Sequence, residues 1–310
     1  MNLYYKGEMW ITRAQKVTWI DILKPTKADI DFLKKQHKFH PIILDELLHL
    51  SSRSRVEFYN NYLFLTYHLP IYDKTLKTSR RAEVDFLITK DKVITIHYED
   101  LEPLDTFMRS ISNNPNFKSQ ALQGSAHCMY FLIQEIIHFS MRQLRHIEDN
   151  IRNISQEIFK GKEAQLLERI SYAKRDVLDF SIISAPQEIL LSSLIETGIR
   201  FWGDEIKIYL SDLAGDYSKV TQHVENYRAT IEALETTNGQ LLGAKTNNVM
   251  QRFTILAFLT FPFFFFTSLA SIDFIGKYIA EPPLRFWALL SIISIIMASL
   301  IVTFRRKGWL

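Results

Sequence analysis

The sequence is poor in cysteine and in net charge. Cys128 is the one cysteine among the 310 residues, which excludes an internal disulfide bond and a zinc site built from several cysteines. The 37 basic and 34 acidic residues leave a formal net charge of +3, too balanced for a protein that wraps nucleic acid. A hydrophobic share of 47% excludes a disordered or collagen-like chain. We therefore expect a folded protein with no nucleic-acid partner.

The common enzyme motifs are missing as well. The chain has no Gly-x-x-x-x-Gly-Lys, no Gly-x-Gly-x-x-Gly, no His-Glu-x-x-His and no Gly-x-Ser-x-Gly. We predict that it is not an enzyme and has no catalytic cofactor. Glu135 and His138 stand one turn apart on a predicted helix, where they can ligate a metal ion. Two ligands do not make a site, so we favour the alternative of a surface pair.

Two long runs near the C-terminus contain no charge. They cover 20 residues from Phe253 to Ile272 and 19 residues from Phe286 to Phe304. Crossing a hydrocarbon core of ~30 Å takes roughly 20 apolar helical residues. The alternative, two buried helices of a soluble domain, is disfavoured because neither run keeps a polar stripe. We predict transmembrane helices over residues 253–272 and 286–304.

The basic residues around these runs predict the topology. Lys245 and Arg252 precede the first run, and two arginines and a lysine follow the second, whereas the charges of the connector cancel. The positive-inside rule then places both termini in the cytoplasm, with 273–285 as an external loop and 305–310 as a basic cytoplasmic tail. The N-terminus lacks the apolar core of a signal peptide. We expect a multi-pass protein of the plasma (inner) membrane.

The residues before these runs show two patterns. Residues 1–125 alternate short strands and helices, which predicts an α/β cytoplasmic domain, an α/β/α sandwich. Residues 126–209 form a cytoplasmic helical region, which we expect Pro186 to interrupt. The predicted strands lie at 10–12, 17–21, 56–59 and 62–68, with a hairpin of 84–89 and 93–97. The predicted helices of the first domain lie at 25–37 and 40–50.

A long stalk helix is predicted over residues 210–252. Apolar residues recur four and three apart from Leu213 to Leu241, with polar Asn238 among them, as in the seam of a coiled coil or bundle. No proline or turn cluster separates this segment from the first apolar run, so the helix is expected to continue into the membrane. A single copy would leave the seam exposed, and we therefore expect self-association.

A set of short motifs then carries a resemblance. Their order and spacing, together with two C-terminal spans, are similar to those of the CorA family of divalent-cation channels along nearly the whole chain. The matching segments are Trp19–Asp21, Pro25, His40–Pro41, Asp45–Leu48, Arg55–Glu57, Tyr62–Leu65, Phe86–His97, Lys174–Arg175, Pro186, Tyr209–Asp212, Asn248–Thr254 and Arg305–Leu310.

The resemblance implies an architecture and a function. It implies a funnel-shaped homopentamer in the lipid bilayer, whose stalk helix continues into a pore-lining first span while the second span forms an outer ring. The permeant ion would be a divalent metal cation, most often Mg²⁺, that moves down its electrochemical gradient. The same ion would also bind as a regulatory ion. Two alternatives stay open: a pentamer that conducts Zn²⁺, a monovalent ion or an anion, and a non-conducting membrane-anchored regulator.

The resemblance also assigns residues. Asp212 matches one of the acidic positions that bind regulatory magnesium between subunits, and Glu135 with His138 is a hypothetical replacement sensor. Phe264 stands where the family commonly has threonine, and phenylalanine at a constriction can gate by dewetting. The pore-facing positions map to Asn247, Met250, Phe253, Ala257, Phe261 and Phe264.

The outer end of the first span departs from the family pattern. The family carries Gly-Met-Asn there, whereas a gap-free alignment from Pro262 places Ser271, Ile272 and Asp273 at those positions. Five copies of Asp273 would form a carboxylate ring that attracts cations. A competing register places Lys277 at the mouth, where a lysine ring would repel Mg²⁺. We favour the register with Asp273, because gaps are accommodated more easily in the loop.

Overall fold

The chain divides into two compact units in a computed structural model. The structure describes residues 3–6, 9–14, 16–280 and 283–307. The first unit is Met1–Glu235 and the second is Thr236–Leu310.

A seven-stranded sheet forms the centre of the first unit. The strand order is β1-β2-β3-β7-β6-β5-β4, with β3 and β7 parallel and every other neighbouring pair antiparallel. The strands predicted from alternation and the β6–β7 hairpin are confirmed, while β1 was not predicted. The bounds are β1 Leu3–Lys6, β2 Met9–Arg13, β3 Thr18–Leu23, β4 Arg55–Tyr59, β5 Tyr62–Asp73, β6 Thr78–Ile88 and β7 Lys92–His97.

Two short helices cover one face of the sheet. Helix α1 (Lys27–Gln36) begins at a capping box, in which the Thr26 side chain and the Asp29 carboxylate each bond the other's backbone N–H. Helix α2 (Pro41–Glu46) is shorter than the predicted 40–50. The apolar core between these helices and the sheet is contributed by Ile30, Leu33, Ile43, Leu44 and Leu47 with Ile20, Ile22, Phe64, Leu87, Ile94 and Ile96.

Further helices cover the opposite face. Because side chains alternate along a strand, Trp19 of β3 points away from Ile20 and Ile22, and its ring meets Phe107 at a centroid distance of 5.0 Å. Phe107 belongs to α3, so the sheet has helices on both faces, and the predicted α/β fold is confirmed. The bounds are α3 Glu102–Asn113, α4 Pro115–Ala121, α5 Ser125–Glu157 and α6 Glu163–Trp202.

Helix α6 continues through Pro186, so the predicted interruption is wrong. Proline removes the N–H that would bond the carbonyl of Ile182. Ile182 is 71% exposed, which lets water reach that side of the helix. On the other side Ile183, Gln187 and Leu190 are buried. Buried residues that precede and follow the proline in the sequence therefore keep the helix continuous.

Helix α7 runs without a break from Lys207 to Ala270, after a short 3-10 helix at Asp204–Ile206. This confirms the expected long helix, but the expected exposure of its seam is wrong. Leu213, Tyr217, Val220, Val224 and Ile231 are buried within a single chain. The Tyr217 hydroxyl donates to the carbonyl of Ser184 on α6 at 2.9 Å. The four-three repeat thus reports packing inside the first unit and gives no argument for self-association.

Two helices follow α7 in the second unit, α8 (Asp273–Ala280) and α9 (Pro283–Arg306). The segment 273–285, predicted to be a loop, is helical at 273–280 and from 283 onward, and Ile279 of α8 is buried. The predicted run 286–304 lies inside α9, as do Arg305 and Arg306 of the predicted tail, while residues 308–310 of that tail lie outside the described part. Three described helices are long and apolar enough to cross a membrane: α6, α7 and α9. Of these, α6 packs against β5 and β6.

Candidate functional site

The apolar end of α7 has one packed face. Ile255 and Phe266 are buried, with Leu259, Pro262 and Leu269 half-buried between and beyond them. These positions are three or four residues apart and so share one side of the helix. The Phe266 ring lies 5.8 Å from that of Phe286 on α9. This side of α7 is therefore packed against other residues of the same chain.

Five of the six positions predicted to face the pore lie on the other side of α7. At about 100° per residue, Met250, Phe253, Ala257, Phe261 and Phe264 fall within about 60° of the direction opposite Ile255. Asn247 falls about 80° away from Ile255, between this stripe and the packed face. All six side chains are exposed, and Phe264 is exposed to 79%. A single chain therefore leaves this stripe uncovered.

The run of phenylalanines divides between the two sides. Phe266 packs internally, whereas Phe263, Phe264 and Phe265 are exposed. The rings of Phe261 and Phe265 stack one turn apart, with centroids 6.3 Å apart and planes inclined by 16°. Helical periodicity gives Phe261 and Phe264 the direction of the uncovered stripe, and gives Phe263 and Phe265 its flanks.

The C-terminal end of α7 is followed by a turn before α8. The N–H of Ser271 bonds the carbonyl of Thr267 at 3.1 Å, and that of Gly276 bonds the carbonyl of Ile272 at 2.7 Å. Asp273 is the first residue of α8, where the helix dipole favours a carboxylate.

The two charged candidates for the pore mouth share one side of α8. Asp273 and Lys277 are four residues apart and both exposed, whereas Ile279 is buried. The registers that place Asp273 or Lys277 at the mouth therefore differ by one turn along the same helix face. Whichever register holds, both charges lie within one helical turn of each other.

The candidate regulatory residues are separate in one chain. Asp212 accepts a hydrogen bond of 2.7 Å from the Tyr130 hydroxyl, which in turn accepts one of 3.1 Å from Gln134 Nε2. Burial, followed by the hydrogen bond to Asp212, raises the pKa of Tyr130. The Nδ1 of His138 lies 3.9 Å from Glu135 Oε1. Within the described residues no group of three or more His, Cys, Asp or Glu side chains is arranged to hold a metal ion.

A family model described as CorA-like Mg²⁺ transporter protein matches residues 14–306, which is nearly the entire chain. The chain belongs to the CorA-like Mg²⁺ transporter family. The two apolar C-terminal helices fit a membrane protein of this family.

Relatives of the CorA family support the same assignment. The chain is 25% identical over 300 residues to the cobalt/magnesium transport protein CorA of Thermotoga maritima, covering 94% of this chain and 83% of the relative. Its fold matches the complete structure of the CorA magnesium transporter from Methanocaldococcus jannaschii with a TM-score of 0.82 at 19% identity, over 95% of this chain and 92% of that one. Full-length CmaX matches with a TM-score of 0.65 at 13% identity, over 92% and 88%.

The sequence reasoning missed a buried polar network in the soluble part of this CorA-like chain. Its signal was present, because polar residues stand two apart within largely apolar stretches of two strands: Thr66 and His68 on β5, and Glu83 and Asp85 on β6. His68 Nε2 lies 3.0 Å from Glu83 Oε2, and the Thr66 hydroxyl donates to Asp85 at 2.7 Å. Burial, and next the charge of Glu83, raises the pKa of Asp85 to about 7.

Proposed function

We propose that the chain forms a funnel-shaped homopentameric channel for divalent metal cations, with Mg²⁺ as the permeant ion. The observation that carries the proposal is the uncovered stripe of α7, which lies opposite the face packed within the chain. A stripe of this kind is what a pore-lining helix presents to the axis and to neighbouring copies. The family match supports transport of Mg²⁺ or a similar cation.

The driving force in this proposal is the electrochemical gradient. An inward-negative potential contributes ~2.3 kcal/mol per elementary charge per 100 mV, and a divalent ion carries two charges. No covalent chemistry is required. The exposed rings of Phe261 and Phe264 would narrow the pathway and close it by dewetting.

Ion selection in this proposal begins at the outer mouth. Five copies of Asp273 at the start of α8 would form a carboxylate ring that concentrates cations. Lys277 on the same face would weaken that ring by its opposite charge. The proposed orientation in the plasma (inner) membrane puts α8 outside and both termini in the cytoplasm, because Lys245, Arg252 and the basic end of α9 then lie inside.

Flux into proteoliposomes containing an Mg²⁺-reporting dye tests the function. We expect Mg²⁺ entry that Asp273→Ala lowers by roughly tenfold or more, because a focused field raises local cation concentration by 10–10³-fold. Lys277→Gln should raise entry, and Asp31→Ala, which removes an exposed carboxylate on α1, is the matched control. Flux of a different ion with none of Mg²⁺ would contradict the assigned ion. No flux under any gradient would contradict the channel and favour a non-conducting regulator.

We also propose a regulatory role for Asp212, Glu135 and His138 through metal ions held between subunits, since one chain does not bring the three together. The double variant Glu135→Gln, His138→Gln should change the dependence of conductance on internal metal concentration. An unchanged dependence rules this pair out.

A further inference from the structure

A small cavity lies in the first unit where the β5–β6 turn meets α5 and α6. Its volume is about 190 Å³. A water needs ~10–15 Å³ of such space, so the cavity has room for several waters. It is smaller than the ~300–1,000 Å³ of sites for drug-sized ligands. The polar side chains that line it are Tyr72, Lys77, Asn150, Arg169, Tyr172 and Asp176. None of them belongs to the proposed pore or to the proposed regulatory positions.

Lys77 brings an unneutralised cation to this cavity. Among the described residues no ion pair involves its ammonium group, whose nitrogen lies 5.0 Å from the centroid of the Tyr172 ring. Its backbone has a φ of +53°, a conformation that is uncommon for a residue other than glycine.

Arg169 of α6 brings a second cation to the cavity. Its Nη1 lies 2.5 Å from Glu157 Oε2, which fixes the side chain. A guanidinium has five N–H donors in a planar fork, so this ion pair leaves further donors available to a ligand. Two cations from different elements therefore line one small space.

Three neutral donors complete the lining. The hydroxyls of Tyr72 and Tyr172 and the side-chain amide of Asn150 have no hydrogen-bond partner within the part of the chain that the structure describes. Each can donate to an oxygen acceptor. A ligand with several acceptor oxygens would satisfy more of these donors than a ligand with one.

The carboxylate that lines the cavity already has hydrogen-bond partners within the chain. Asp176 is 2% exposed, its Oδ1 accepts from the Ser79 hydroxyl at 2.7 Å, and its Oδ2 lies 2.7 Å from His146 Nε2. The His146 ring in turn lies against Tyr72, with centroids 3.6 Å apart. Asp176 thus acts as an internal support, and the cations and neutral donors are the groups that remain for a ligand.

We propose that this cavity binds a small phosphate-bearing anion: free phosphate or diphosphate, or the terminal phosphates of a nucleotide whose base stays outside. Lys77 and Arg169 supply the charge, and charge-assisted hydrogen bonds are the strong ones. The volume limits the enclosed part to one or two phosphate groups. The proposal is independent of whether the pore conducts.

Isothermal titration of the full-length protein in detergent, in magnesium-free buffer, tests the site with phosphate, diphosphate and ATP as probes. We expect saturable binding that Lys77→Gln and Arg169→Gln each weaken about tenfold or more, because each removes a charged donor. Lys77→Arg should retain binding. Lys74→Gln is the matched control, since Lys74 is exposed on the same turn and does not line the cavity.

The three probes separate the two sources of phosphate. Diphosphate binding as tightly as ATP supports a free anion, whereas tighter binding of ATP supports a nucleotide. The absence of saturable binding with all three probes overturns the proposal. Equal weakening by Lys77→Gln and Lys74→Gln also overturns it, because that result indicates diffuse attraction to a basic surface. Thermal unfolding without ligand confirms that each variant is folded.

Discussion

Gly198 shows how one missing side chain sets the approach of two helices. A Cβ at this position of α6 would overlap Leu210 Cδ1 of α7 and lie 3.3 Å from Trp202 Cζ3. Leu210 is buried, so its side chain has little room to move away. The close contact between the end of α6 and the start of α7 therefore depends on glycine.

The substitution Gly198→Ala is expected to destabilise the protein. Overpacking a filled site costs typically 1–3 kcal/mol, part of which is offset by the gain of about 1 kcal/mol in helix propensity. Gly215→Ala on α7 is the matched control, because a Cβ there meets nothing within 4 Å and only the propensity gain remains. In detergent, the unfolding temperature of Gly215→Ala should be higher than that of the unsubstituted protein, and that of Gly198→Ala should be lower. The reverse order would contradict the packing argument.

Asp85 makes stability depend on pH. The pKa of a carboxyl is usually 3.8 and is raised to about 7 here, so between these values the folded state binds more protons than the unfolded state. The free energy of unfolding therefore falls as the pH rises from about 4 to 7. Asp85→Asn removes the titrating group while keeping an acceptor for Thr66. We expect a shallower fall in thermal stability across this range.

The control for this prediction is Asp73→Asn. Hydrogen bonds from the backbone N–H groups of Leu76 and Thr75 lower the pKa of Asp73, so it titrates below the pH window. Its substitution should leave the slope between pH 4 and 7 unchanged. If Asp85→Asn also left the fall of stability between pH 4 and 7 unchanged, the buried network of Asp85 and Glu83 would not be the origin of that fall.

At the scale of elements, Pro186 of α6 lowers stability without ending the helix. Pro186→Ala restores an N–H for the Ile182 carbonyl and removes the clash of the ring, effects that together contribute about 1–3 kcal/mol. Pro41→Ala is the matched control, because proline is favourable in the first turn of a helix such as α2. Differential scanning fluorimetry should show a higher unfolding temperature for Pro186→Ala and no increase for Pro41→Ala. A lower one would mean that the proline fits α6 better than alanine.

The elements also show what the sequence can predict. Parts of β5 and β6, residues 62–68 and 84–88, follow from alternation and from β-branched and aromatic residues. The entry of α7 into the apolar run follows from apolar spacing with no proline before that run, although Pro262 lies further along the helix. Continuity of α6 through Pro186 depends on packing on both sides of the proline, which local sequence does not encode. Helix α8 was missed because it is only eight residues long, and its buried Ile279 depends on tertiary contacts. That Phe253, Ala257 and Phe264 lie on one side of α7 could be predicted, because they share one helical phase; that they face a pore stays a prediction.

At the scale of the whole molecule, one stripe of α7 is covered by the chain itself and a second stripe is not. The four-three stripe from Leu213 to Ile231 is buried within the chain, whereas the stripe from Met250 to Phe264 is exposed. Apolar surface left uncovered over several turns needs lipid or other copies of the chain. The assembly that we propose therefore rests on the second stripe and not on the first.

This distinction predicts how seam variants behave. Leu213→Ala should lower the stability of the protein by about 2–5 kcal/mol, because it leaves a cavity in a filled core. It should leave the protein mass in detergent at five times 36.4 kDa, measured by light scattering with the detergent subtracted. Ile208→Ala, on the same helix but 78% exposed, is the matched control and should change neither quantity. If Leu213→Ala instead yielded folded monomers of unchanged stability, the seam would be a contact between chains, and the burial seen within one chain would not describe the assembled protein.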